Sequence, residues 1–157
     1  MIENSLDKLI WEFRTKAKVL MEIVRLKYPG LAPFETFRTR ARQARLYANK
    51  KPWQAVGIPG TSYHEKGLAV DWVFLNKNWQ PTWKGDYPYV HMIWFMCGMT
   101  PIYDGKKLVE SCHLQSDNRT IAAVMISNST QYGKTKSIAE QKLLSAVNTA
   151  FRRYGYK

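Results

Sequence analysis

The segment Gly67-Leu68-Ala69-Val70-Asp71-Trp72-Val73-Phe74 constrains the fold more than any other, because its β-branched and aromatic content reads as a buried strand. Alternation along it places Ala69 and Asp71 on one face. Such a strand has to be covered, and 157 residues of which 45% are hydrophobic suffice for a single sizeable core. One globular domain over residues 1–157 is expected.

Helices to cover the strand are legible on both sides of it. From Leu6, the apolar residues Ile10, Phe13, Ala17, Leu20 and Val24 recur at alternating four- and three-residue steps, which predicts one stripe of a helix ending at Pro29-Gly30. Phe34 to Arg38 reads as a short strand, and Thr39 as the N-cap of a helix from Arg40 to about Ala48, so Arg38 sits at a strand-to-helix corner. A third helix is expected from Pro88 to Cys97, capped by Asp86, stopped by Gly98 and apolar almost all round. Asp104-Gly105 signals a hairpin turn, with Glu110 at the end of the returning strand. Ile121 to Ile126 suits a strand or a helix equally, and Ser137 to Tyr154 has the spacing of a closing helix.

The net charge of +12, from 24 basic and 12 acidic residues, favours polyanionic surroundings such as nucleic acid, anionic lipid or acidic wall polymers without choosing among them. Two cysteines, Cys97 and Cys112, make no disulfide framework and no zinc-finger spacing. Residues 1–7 lack the basic start and apolar stretch of a secretory signal, and no segment has the length and apolarity of a bilayer span. Synthesis in the cytoplasm is therefore expected, with any extracellular target reached by another route.

Two of the three histidines stand near carboxylates at informative spacings: His64 seven residues before Asp71, and His113 three residues after Glu110. A hydrolytic zinc site takes three protein ligands at about 2.0 to 2.2 Å and leaves one position open for water. His64, Asp71 and His113 supply that number. Glu110 can stand beside the water without binding the metal, provided the chain turns both side chains into one cleft. By spacing alone, the same residues also suit loop and capping duties.

The pattern Ser62-x-His64-x-x-Gly67-x-Ala69-x-Asp71, followed by Glu110-x-x-His113, resembles the two-part signature of the zinc peptidase family that comprises D-Ala-D-Ala carboxypeptidases and L-alanyl-D-glutamate endopeptidases, many phage endolysins among them. A third element, Thr36 to Tyr47, is similar to the family segment that carries an arginine just before a helix, here Arg38. The three elements run in family order from Thr36 to Gln115. The resemblance implies an α+β fold of the hedgehog and D,D-peptidase type, a small antiparallel sheet bearing a zinc site with helices around it. It implies His64, Asp71 and His113 as zinc ligands, Glu110 as the base that takes the proton of the water, and Arg38 as the cation facing the charge that develops on the scissile carbonyl. Glutamate at position 110 is usual in the carboxypeptidase branch, whereas His113-Leu114-Gln115 looks more like the endopeptidase branch.

Ser62 is a candidate for holding substrate or its own loop, and Gly67 and Ala69 for keeping space beside the site. Cys112 reads as a buried structural thiol, His91 as a satisfied core histidine, and Trp53, Trp79 and Trp83 as stacking surfaces or lids on the core. The basic residues Lys134, Lys136, Lys142, Arg152, Arg153 and Lys157 suit a solvated helix face, or contact with anionic wall polymer or outer-membrane lipid. The expected function is that of a monomeric endolysin cutting a stem-peptide amide of peptidoglycan, L-alanyl-D-glutamate first, and reaching the wall after holin-type release. Rival readings are a D,D-carboxypeptidase and a non-catalytic zinc-containing wall-binding module, as in the hedgehog domain. Nucleic-acid binding lacks any recognition motif.

Overall fold

A computed structural model describes residues 1–132, 134 and 137–156. In chain order it contains α1 (Trp11–Arg25), β1 (Leu31–Glu35), α2 (Arg40–Ala48), β2 (Ala69–Leu75), β3 (Pro81–Thr82), α3 (Tyr87–Trp94), β4 (Met99–Thr100), β5 (Tyr103–Asp104), β6 (Lys107–Leu108), β7 (His113–Ser116), α4 (Ile121–Tyr132) and α5 (Ile138–Arg153). The strand around Asp71 is the hub of the sheet. β2 pairs with β1, β7 and β3, and β7 pairs in turn with β4, all antiparallel. This is the expected α+β architecture, with helices packed on a small antiparallel sheet.

The helices cover the sheet through their apolar stripes. Phe13, Leu20 and Val24 of α1, Ile93 of α3, Ile121 of α4 and Val147 and Phe151 of α5 are buried in the same cluster as Trp72 and Leu114 of the sheet. At about 25 cal/mol per Å² of apolar surface removed from water, each such side chain contributes roughly 1.5–3 kcal/mol before the entropy of ordering is charged against it. Leu6 does not extend α1. Ser5 caps a separate 3-10 turn, Leu6–Lys8, while Ile10 is extended and half exposed. The amide of Ile10 donates to the carbonyl of Gly67, which ties the chain to the site loop just before α1 begins.

β1 ends earlier than the sequence pattern suggests. Its register with β2 stops at Glu35↔Asp71, and the amide and hydroxyl of Thr36 turn away to the carbonyls of Glu3 and Ser5. Arg38 therefore follows the strand and precedes α2, whose Thr39 cap accepts from the amide of Arg42. Asp86 caps α3 and Gly98, at φ +77°, ends the helical stretch as expected, yet Met92 and Phe95 are about half exposed, so this helix buries only one side. The hairpin turn is displaced by one residue. Asp104 pairs with Lys107, leaving Gly105, at φ +59°, and Lys106 as the loop of a separate two-stranded ribbon. Glu110 lies beyond that ribbon in an irregular segment. Ile121 to Ile126 is helical, its first amide held by the Glu12 carboxylate at 2.7 Å.

Ser137 caps α5 as the spacing predicts. Of the basic residues in this region, Lys136 and Lys157 lie outside the described residues, and Arg153 is paired with Glu22 of α1. Among the described residues no helix is long and apolar enough to cross a membrane.

Candidate metal centre and its cleft

Asp71 and His113 meet because β2 and β7 pair in the register Asp71↔His113. Directly opposed residues of an antiparallel pair project from the same face, so strand pairing alone brings carboxylate and imidazole together. His64 arrives from outside the sheet, at the start of the 3-10 turn His64–Lys66, which Gly67 closes at φ +66°. A Cβ on Gly67 would approach the backbone of Lys8 and Ile10 at 3.3 and 3.2 Å, so this glycine makes room for the N-terminal segment and not for the site. Ala69 does lie beside the site, opposite Gln115 in the same register. The loop before His64 is closed by Glu65, whose carboxylate accepts from the amides of Gly60 and Ser62 at 2.8 and 3.3 Å.

His64 Nε2, His113 Nδ1 and Asp71 Oδ1 form a triangle with sides of 3.2, 3.0 and 3.3 Å. Tetrahedral ligands on bonds of about 2.0–2.2 Å stand about 3.3–3.6 Å apart, so the three atoms already lie close to one coordination sphere. The outer hydrogen bonds agree. The carbonyl of Thr36 can only accept, so His64 Nδ1–H donates to it at 2.7 Å, and His113 Nε2–H donates to Gln115 Oε1 at 3.2 Å. Each imidazole thereby turns its other nitrogen, as a lone pair, toward the other and toward a carboxylate. Such an arrangement repels itself unless a cation sits within it.

Without a metal, a proton has to serve. Burial lowers the pKa of His113, but the Asp71 carboxylate outweighs burial and the net shift is upward. Burial alone would likewise raise the Asp71 carboxyl, yet the facing His113 and His64 rings hold it well below the usual carboxylate range. His64 and His113 are both at least 95% buried as residues, and a divalent ion would satisfy both nitrogens and the carboxylate at once. Among the described residues no other group of His, Cys, Asp and Glu side chains converges in this way.

Arg38 is brought to the same cleft and locked there. Nη1 donates to Gln43 Oε1 at 2.8 Å, Nη2 donates to Glu35 Oε2, and Nη2 stands 3.7 Å from Asp71 Oδ2. Gln43 itself is fully buried and donates to the Gly57 carbonyl at 2.6 Å. Glu35 is almost fully buried. Burial would raise its carboxyl, but Arg38 and Arg42 hold it below the ordinary value. Glu35 and Gln43, which hold Arg38, are neighbours of the candidate site that sequence reasoning missed. An acid closing an apolar strand was the available signal for Glu35, and the two-residue step from His113 was the signal for Gln115.

Glu110 is exposed as a residue, yet its side chain lines the cleft with Arg38, His64, Asp71 and His113. It stands outside the triad whose ligand atoms all lie within 4.8 Å of one another. Partial burial first, and the Asp71 charge second, raise its pKa. The loop that carries it is held from behind by His91, whose Nε2–H donates to the Ser111 carbonyl at 2.8 Å. His91 is thus satisfied, but at the surface and not in the core. The Ser62 hydroxyl accepts from the His64 amide at 3.3 Å, so it braces the loop while also lining the cleft. Cys112 points into the apolar cluster, and burial pushes its thiol up to about 12, which keeps it protonated and poor as a ligand. Trp53, Trp79 and Trp83 are all exposed, with Trp83 packed edge-on against Phe34 at 4.8 Å.

No protein-family model and no curated protein sequence matches the chain. Solved structures do. The LdcB LD-carboxypeptidase, studied for the molecular basis of peptidoglycan recognition, superposes with a TM-score of 0.55 at 19% identity over 92% of this chain and 68% of its own. The vancomycin-resistance D,D-dipeptidase VanXYg, in complex with a D-Ala-D-Ala phosphinate analogue, gives 0.56 at 16% identity over 78% of this chain and 55% of its own. The D,D-pentapeptidase VanY, in complex with Zn(II), gives 0.54 at 18% identity over 87% of this chain and 83% of its own. What these likenesses establish is a shared fold.

Proposed function

We propose that this chain is a zinc-dependent peptidase that hydrolyses an amide bond in the stem peptide of peptidoglycan. The observation that carries the reading is the convergence of His64, Asp71 and His113 on one point, with Glu110 and Arg38 in the same cleft. His64 Nε2, His113 Nδ1 and an oxygen of Asp71 would hold the zinc ion. Bound there, it supplies Lewis-acid polarisation of the scissile carbonyl and of a water molecule. Glu110 takes the proton of the attacking water and passes it to the leaving amine nitrogen, a task suited to a carboxylate whose pKa lies above the ordinary range. The Arg38 guanidinium, immobilised by Glu35 and Gln43, faces the negative charge that grows on the carbonyl oxygen.

Two bonds fit this machinery. The sequence from His113 to Gln115 supports the L-alanyl-D-glutamate amide, while the names of the similar structures and the glutamate at position 110 favour removal of a terminal D-alanine. Mass spectrometry of purified peptidoglycan after digestion distinguishes them. New N-terminal D-glutamate marks the first and free D-alanine the second. Fragments identical with and without exhaustive chelation would remove zinc from the mechanism, and no fragments at all would leave a wall-binding module. Release of a phage-type lysin through a holin is the delivery route we favour for the endopeptidase reading.

A further inference from the structure

The cleft holds a second guanidinium that the proposed chemistry does not use. Arg42 lies in the first turn of α2, and its side chain crosses to Glu35, where Nε donates to Oε1 at 2.7 Å. Glu35 is thus fully engaged, one oxygen by Arg42 and the other by Arg38. Among the described residues, Arg42 makes no hydrogen bond through Nη1 or Nη2, although its side chain is only 25% exposed and lines the cleft of about 340 Å³ that contains the metal triad. Leu46, Val56 and Ile102 contribute apolar wall to the same space. A planar donor pair anchored through Nε and open through Nη is the geometry that takes a carboxylate in two parallel bonds.

The charge of the cleft points the same way. Ionised, Glu35, Asp71 and Glu110 carry three negative charges, and with a divalent metal held by the triad Arg38, Arg42 and the metal would carry four positive ones. The surplus calls for an anionic ligand. Both candidate bonds provide one, since a D-glutamate linked through its γ-carboxyl and a terminal D-alanine each leave a free α-carboxylate next to the scissile amide. We propose that Arg42 is a specificity determinant that binds a free carboxylate of the stem peptide. Glu35 orients it by the same contact with which it orients Arg38. This assignment rests on the peptidase reading above.

The test uses a series of soluble stem peptides in which each carboxylate in turn is replaced by a carboxamide, digested by the zinc-loaded parent protein and by Arg42→Gln. For the parent, one replacement is expected to raise KM about 10- to 100-fold with a far smaller change in kcat, the size of a lost charge-assisted pair. In Arg42→Gln, the acid-to-amide ratio at that position should collapse toward one. Arg42→Lys, which keeps a cation beside Glu35 but not the fork, should show an intermediate ratio, and it carries the test if the neutral variant does not fold. Zinc content and the thermal midpoint of each protein are measured alongside. A variant that discriminates acid from amide as strongly as the parent overturns the Arg42 assignment and leaves the peptidase reading intact. A parent that cleaves no peptide in the series overturns both.

Discussion

The candidate metal ligands and the candidate base share one cleft but stand on different kinds of backbone. Asp71 and His113 lie on paired strands in the buried sheet, and His64 on a turn tied to it through Thr36. Glu110 stands on an exposed irregular segment after a two-stranded ribbon, braced by His91 through the Ser111 carbonyl. The difference suits the proposed chemistry. Metal ligation demands three atoms within tenths of an ångström of one geometry, and cross-strand register together with a turn pinned to the sheet can deliver that. A group that exchanges protons with water and with a leaving amine has to reach both, and a loop permits this.

The sharpest way to break this comparison is to replace the ligands one at a time. His64→Ala, Asp71→Ala and His113→Ala are each expected to lose zinc and to fall to background activity. Full zinc retention by any of them would remove that residue from the ligand set. On the loop, Glu110→Gln should keep its zinc and lose about 10²- to 10⁴-fold in rate, because the amide cannot take the proton. Zinc loss in that variant would move Glu110 into the rigid group and erase the distinction drawn here.

Smaller effects sharpen the comparison. Gln115→Ala should weaken zinc binding by about 10- to 100-fold with the fold intact, since His113 loses the partner that fixes its tautomer. Competition titration with a chelator measures this, and unaltered affinity would show that strand register alone orients the ring. The smallest effect concerns pH. The folded-state pKa of Glu35 is depressed below its ordinary value of 4.5, so its ion pairs contribute stability that is complete above that value and lost as pH falls through the lower, folded-state one. Thermal midpoints of the parent should therefore drop through the acid range below about pH 4.5 more steeply than those of Glu35→Gln. Parallel acid limbs for the two proteins would show that the guanidinium pair does not depend on the ionised carboxylate.

Strong local signals determined much of this molecule. The Thr39 and Ser137 caps, the strand around Asp71 and the stop at Gly98 depend on neighbours a few residues away, and they are found where the sequence places them. Wherever a distant partner competes, local reading slips. Thr36 leaves β1 for the carbonyls of Glu3 and Ser5, Ile10 leaves the stripe of α1 for Gly67, and the turn at Gly105 moves by one residue once Asp104 pairs with Lys107. The support of the site was hidden for the same reason. The chain Arg42–Glu35–Arg38–Asp71 and the bond from the Gln43 side chain to the Gly57 carbonyl link different elements, and no periodicity encodes such contacts. Residue types and spacings determined which chemistry the chain can attempt. Only the tertiary structure, through the register of β2 and β7 and the hold of the Thr36 carbonyl on His64, decided that three side chains spread over 50 residues, from position 64 to position 113, would face one another within 3.3 Å.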